Sequence, residues 1–386
     1  MTEIYLDNAS TTRPSPAVRE AMLACLEEAY GNPSSLHRKG VEAENIIKKA
    51  QGSVAELLKV REKEIFFTSG GTESNNWAVL GAARARKRQG RHVITSAVEH
   101  PSVSAPMAQL KDEGFELTVL PVDSRGLVDP EDLKAALRPD TVLVSLMAVN
   151  NELGSIEPIE ACGAEIRRRG GVAAFHVDAV QAFGKLPLNP RAWGVDLLTG
   201  SAHKIHGPKG CGFLYVSEGT RILPLVFGGG QQKELRSGTE NMPGIAGLGA
   251  AAAEALAHFG SNRAALYELR HQFCQGLSGL DGVRINGPGE DALTAPHIIS
   301  ATFDDVRSEV LLHALEDKGI YASAGSACSS HKREISPVLK AIGLDRKAAE
   351  STLRFSLSRY NTAEEITETV RVLGELLPAL RRFVRR

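Results

Sequence analysis

A chain of 386 residues with 42% hydrophobic and 24% charged residues has the composition of a globular protein large enough for two domains. Its formal net charge of -1 excludes a global electrostatic attraction to nucleic acid or to an acidic surface. No uncharged apolar run reaches the roughly 18 residues of a membrane span, and five cysteines without C-x-x-C spacing exclude a zinc site or disulfide framework and predict a cytoplasmic setting.

The N-terminal Met1-Thr-Glu-Ile-Tyr-Leu-Asp7 has neither the basic nor the apolar stretch of a secretory leader, so none is expected. Short apolar runs at 64–68, 92–95, 116–120, 141–146 and 172–177 then read as buried strands. Helical patterns at 73–89, 102–113, 130–137 and 158–169 lie among them. Two further strands are predicted at 195–198 and 211–216. Alternation of this kind predicts crossover units and an α/β fold with a mostly parallel sheet between helices. After Gly230 the pattern changes. An alanine-rich helix at 243–258 and a long helix at 262–280 precede strands at 283–286, 297–302, 320–322 and 352–356. Helices at 308–317, 334–342 and 363–383 complete a smaller α+β unit, with the boundary near Phe259-Gly-Ser261. The arginines at 381, 382, 385 and 386 read as a solvated helix end facing the helix dipole.

Chemistry concentrates at strand ends. Asp178 follows the run 172–177, which puts a carboxylate at the C-terminal end of a parallel strand, where open α/β sheets bind ligands. Ser201-Ala-His203-Lys204 opens a loop too polar for a core strand and too rich in Gly and Pro for a helix interior. Thr68-Ser-Gly70-Gly71-Thr72-Glu73-Ser74-Asn75 stands between a strand and a helical pattern. Its glycines allow close approach, Thr72 is suited to cap, and the helix dipole favours an anion. An amine, a carboxylate and an anion cradle are the groups that pyridoxal 5′-phosphate (PLP) demands. Lys204 is the candidate amine for the aldehyde, with Lys209 a rival in the same loop. Asp178 is the candidate partner of the ring nitrogen. Gln181 is placed to donate to the phenolic oxygen, although D-x-x-Q alone is a weak signal. Gly71, Thr72, Ser201 and His203 are candidate phosphate ligands. His100, after strand 92–95, suits stacking on the ring or proton relay, against the commoner reading of a structural histidine.

Taken together, Tyr5-Leu-Asp-Asn-Ala-Ser-Thr-Thr12, Gly71-Thr-Glu-Ser74, Glu99-His100, Val149-Asn-Asn-Glu-Leu-Gly154, His176-Val-Asp178, Ser201–Gly210, Leu235-Arg-Ser-Gly-Thr239 and Gly325-Ser-Ala-Cys328 resemble cysteine desulfurases of the NifS/IscS type. These belong to the class V aminotransferases. The resemblance implies PLP-dependent transferase fold type I: a large domain (15–259) with a seven-stranded sheet, and a small domain (1–14 and 260–386) carrying an active-site loop at about 323–335. It implies that Lys204 bonds the cofactor, that His100 is the stacking acid/base, and that Asn151 and Arg354 hold the substrate carboxylate, Asn151 lying against the cofactor too. Thr239 would reach the phosphate of a neighbouring subunit, making a homodimer. Cys328 would attack the sulfur of L-cysteine and carry it as a persulfide to an acceptor protein, an iron–sulfur scaffold or a sulfur relay. The long polar stretch after Cys328 resembles the group I enzymes. A selenocysteine lyase, another class V aminotransferase or a carbon–sulfur lyase shares the cofactor residues.

Overall fold

The computed structural model describes residues 3–324 and 335–382. Seven strands form one sheet in the order β2-β8-β7-β6-β5-β3-β4: β2 (Ile65–Thr68), β3 (His92–Ser96), β4 (Glu116–Leu120), β5 (Thr141–Met147), β6 (Ala174–Asp178), β7 (Leu197–Ser201) and β8 (Gly212–Val216). The run β7-β6-β5-β3-β4 is parallel, and β8 runs against both of its neighbours. Every residue of β2, β3, β5, β6, β7 and β8 is buried, as expected for strands covered by helices on both faces. Only the edge strand β4 reaches solvent. The mostly parallel α/β architecture is thus the predicted one.

Two helices in the first sixty residues lack any sequence-based expectation. Pro16–Glu27 starts at Ser15, whose hydroxyl accepts from the Val18 amide, with proline in the first turn. Arg38–Leu58 buries Ala43, Ile47, Ala50, Val54 and Leu58 on one face and ends at Lys59 in the left-handed conformation. Both pack on the alanine-rich helix Met242–Ala257. The predicted helix 73–89 is three joined pieces, Gly71–Asn76, a π-type turn at Trp77–Gly81, and Ala82–Arg86.

The remaining strands are β1 (Ile4–Tyr5), β9 (Val283–Asn286), β10 (Ile298–Phe303), β11 (Ile320–Tyr321) and β12 (Thr352–Ser356). β9, β10 and β12 make a three-stranded antiparallel sheet, and β1 pairs with β11 in parallel. A second apolar core, with Phe273, Phe303, Phe355 and Leu373, includes Ile4 and Leu6 from the far end of the chain. The predicted break near 259–261 holds no linker. Helix Phe259–Ser278 follows directly on Met242–Ala257, with His258 between them.

Candidate active site

Register decides what meets at the carboxyl edge of the sheet. His176 in β6 reaches Ser145 Oγ in β5 with Nδ1 (2.8 Å) and Thr199 Oγ1 in β7 with Nε2 (3.1 Å). Burial pushes this imidazole down to about 3, so it is a neutral pin that aligns three strands. Two residues on, Asp178 is the last residue of β6, inside the strand instead of after it. Its Oδ2 accepts from Asn75 Nδ2 (2.7 Å) and its Oδ1 from the Val180 amide (3.0 Å).

From the end of β7, a short 3₁₀ turn at Ala202–Lys204 presents the lysine. Lys204 Nζ donates to the carbonyls of Ala9 (2.6 Å) and Ser10 (2.7 Å). Gln181 Nε2 donates to the same Ala9 carbonyl (2.9 Å), while its Oε1 lies 3.3 Å from His297 Nε2. Lys204 and Gln181 therefore converge on one backbone atom. The rival Lys209 is exposed.

The anion cradle has a different cap from the predicted one. Gly70, with φ at 152°, enters the helix where a side chain would be strained. Gly70 is the cap residue and no side chain caps the turn; Glu73 accepts from the Ser69 amide just ahead of it (2.8 Å), and Thr72 is exposed. A Cβ on Gly71 would come within 2.8 Å of Val180 Cγ2 and 3.7 Å of Ser201 Cβ, which places this turn against the ends of β6 and β7. Ser201 Oγ is buried there without a protein partner. A buried hydroxyl with no partner is costly unless a ligand completes it. A helix start, a close glycine and an orphaned hydroxyl fit a phosphate group.

His100 caps helix Pro101–Asp112 with its own ring. Its Nδ1 accepts from the Ser102 amide (3.1 Å) and lies 2.7 Å from Ser102 Oγ. Burial, and then nearby Lys204, lower its pKa, while Asp178 opposes the shift. His203 has Nδ1 3.2 Å from Thr11 Oγ1, and burial together with Lys204, Lys209 and Lys185 pushes it down to about 4.

Arg354 in β12 is buried. Its Nη1 donates to the Asn151 carbonyl (2.8 Å), and its Nη2 to Asp7 Oδ1 (3.0 Å) and Ser10 Oγ (2.6 Å). Nε has no partner. Asn151 thus meets Arg354 through its backbone. Asp7–Ser10 is a strap tying the Lys204 amine to the guanidinium. The sequence of that segment carries no local signal of this role. Thr239 is exposed, on a stretch clipped to Glu73 by Arg236 (2.8 and 3.1 Å), and is not brought into the cluster by the hydrogen bonds of its neighbours. Cys328 lies outside the described residues. On either side of its segment, Ser323 pairs with the Arg354 backbone and Ser336 Oγ donates to Glu152 Oε2 (2.6 Å).

Among the described residues, Cys25, Cys162 and Cys211 are buried and Cys274 half-buried. Burial raises all four thiols, Cys162 and Cys211 to about 12. No cluster of metal-binding side chains and no helix long and apolar enough to cross a membrane occur among those residues.

Comparison with known proteins agrees with this picture. Residues 4–368 match the family model for aminotransferase class-V. The chain is 45% identical over 380 residues to a cysteine desulfurase IscS of Dictyoglomus turgidum, covering 98% of this chain and 95% of the relative. Among solved structures it resembles a NifS-like protein (TM-score 0.92, 39% identity, 98% of this chain and 100% of that one). It also resembles SspA in complex with cysteine (TM-score 0.82, 34% identity, 94% and 100%).

Proposed function

The chain belongs to the aminotransferase class-V family, and from that premise we propose that it is a PLP-dependent cysteine desulfurase, converting L-cysteine to L-alanine and carrying the sulfur as a persulfide on Cys328. The observation that carries this reading is the convergence of a half-buried amine, a buried carboxylate and an unpartnered buried hydroxyl at the carboxyl ends of β6 and β7. When bound, PLP supplies an electron sink that acidifies the substrate Cα–H.

Asp178 would pair with the ring nitrogen and Gln181 with the phenolic oxygen of the bound cofactor. Gly71, Thr72, Ser201 and His203 hold the phosphate, with Thr239 reaching it from a second copy of the chain. Lys204 would hold the cofactor through its amine, and that amine would be the base for the substrate Cα proton. Arg354 and Asn151 orient the substrate carboxylate. Cys328 attacks Sγ of cysteine: a sulfur–sulfur bond forms, the carbon–sulfur bond breaks, and its electron pair stays with Cβ, which is protonated to the methyl of alanine. Thiol plus cysteine gives persulfide plus alanine, so no outside oxidant or reductant enters. The raised pKa values of the four described cysteines support giving this task to the fifth. Residues 15–259 form the cofactor domain, with 1–14 and 260–386 completing the site from the small domain. The persulfide passes to an acceptor protein in the cytoplasm, an iron–sulfur scaffold or a sulfur relay.

Two variants test the assignment. Borohydride reduction followed by peptide mass mapping should find the cofactor on the Lys204 peptide, and Lys204→Ala should abolish the label. Cys328→Ala should retain the cofactor yet deliver no persulfide. A label on Lys209, or persulfide at the wild-type rate from Cys328→Ala, would refute the corresponding role.

A further inference from the structure

We infer that His100 is held as the neutral imidazole with its proton on Nε2, and that Ser102 and Asn75 are the positioning residues that impose this tautomer. The inference rests on the reading above that His100 faces the cofactor.

One chain of hydrogen bonds joins Asp178 through Asn75 and Ser102 to His100. The Asn75 amide nitrogen donates to Asp178 Oδ2 at 2.7 Å. The other hydrogen of that nitrogen goes to Ser102 Oγ at 2.8 Å. Ser102 Oγ is thereby an acceptor from Asn75, and its single hydrogen remains for His100 Nδ1 at 2.7 Å. The Ser102 backbone N–H also donates to Nδ1, at 3.1 Å, because His100 is the cap of its own helix. A nitrogen that receives two donors has no place for a proton of its own, so the ring proton is on Nε2.

Three consequences follow. The Asn75 amide interrupts proton transfer between Asp178 and His100, so the carboxylate orients the imidazole without titrating it. Nε2, the ring nitrogen not turned toward the helix, presents an N–H and cannot take a second proton. Removal of the Cα proton therefore falls to Lys204 alone, and His100 serves as a hydrogen-bond donor and stacking surface. To form imidazolium, an Nδ1–H would have to face two donors. Burial opposes the cation most, Asp178 favours it, and Lys204 adds to the opposition.

The test is nitrogen NMR on protein purified with its cofactor and labelled in the histidine rings, with His100→Gln identifying the signal. Wild type should show an unprotonated Nδ1 and a protonated Nε2 across neutral pH. Ser102→Ala removes the hydroxyl donor but leaves the backbone N–H on Nδ1, so it should shift the signal part of the way toward a tautomer mixture and lower kcat for alanine formation ~5-fold, with KM for cysteine little changed. Ser102→Thr, which keeps the hydroxyl, should restore both, separating positioning from a general loss of structure. A protonated Nδ1 or an imidazolium in wild type, or Ser102→Ala with an unaltered tautomer, overturns the inference. Absence of alanine formation in wild type would instead overturn the desulfurase reading, because the NMR readout needs no turnover.

Discussion

Arg354 carries five N–H donors and commits three of them to Asp7, Ser10 and the Asn151 carbonyl, leaving Nε and one Nη1 hydrogen for a ligand. A lysine at this position would keep the charge but lose the planar fork. Arg354→Lys is expected to raise KM for cysteine on the order of 10–100-fold with a smaller change in kcat, as steady-state alanine formation would reveal. An unchanged KM would remove Arg354 from carboxylate binding. Asp178 stood out in the sequence because it is a polar residue at the end of an apolar run, and Lys204 because its loop is too polar for a core strand and too rich in Gly and Pro for a helix interior. Asn75 and Ser102 sit in segments that also stood out, but their roles did not. Asn75 meets Ser102 and Asp178 across separations of 27 and 103 residues, and no local pattern encodes such pairings. Thr72 is a capping residue by type, yet it lies inside the first turn, and the helix starts at Gly70 without a side-chain cap.

The sheet strands were readable because continuous apolar runs of four to seven residues can be satisfied only between two covering layers. The helix Pro16–Glu27 was not, since it buries little beyond Val18 and Cys25, and Arg38–Leu58 went unread although Ile47, Val54 and Leu58 recur on one face, interleaved with the small Ala43 and Ala50. Small residues are what their packing requires. A Cβ on Gly249 of helix Met242–Ala257 would come within 2.7 Å of Ala50 Cβ and 2.8 Å of Ala50 Cα, so the two helices approach almost backbone to backbone. Gly249→Val should force them apart and cost about 1–3 kcal/mol. Denaturant titration measures this, and a variant as stable as wild type would mean that the helices repack freely. The π-type turn at Trp77–Gly81 likewise has no signature in the apolar spacing, which a single helix of the predicted length would satisfy equally well.

Across the whole molecule, burial of acidic groups sets a limit on alkaline stability. Glu157 is buried, with Oε2 accepting from the Val128 amide (2.9 Å) and Oε1 unpartnered, and burial pushes its carboxyl up to about 8. A folded-state pKa above the unfolded value means the folded chain holds a proton the unfolded one releases. That stability is present below about 4.5 and is lost as pH rises through about 8. Glu157→Gln cannot ionise, so its melting temperature should fall less than that of wild type between pH 6 and 9. Parallel melting curves would contradict the shift. A second whole-chain consequence follows from the reversal of β8. Because β8 returns antiparallel to β7, pairing Ser201 with Gly212, the loop that bears Lys204 is a hairpin connection, whereas Asp178 arrives on β6 through crossover links. Loops of about ten residues close in roughly 10–100 ns, whereas crossover pairings must first overcome the entropy of distant ends. During refolding the amine should find its hairpin early and wait for the carboxylate, making coenzyme capture a clock for the last strand to dock. A stopped-flow trace with capture ahead of that docking would stop the clock.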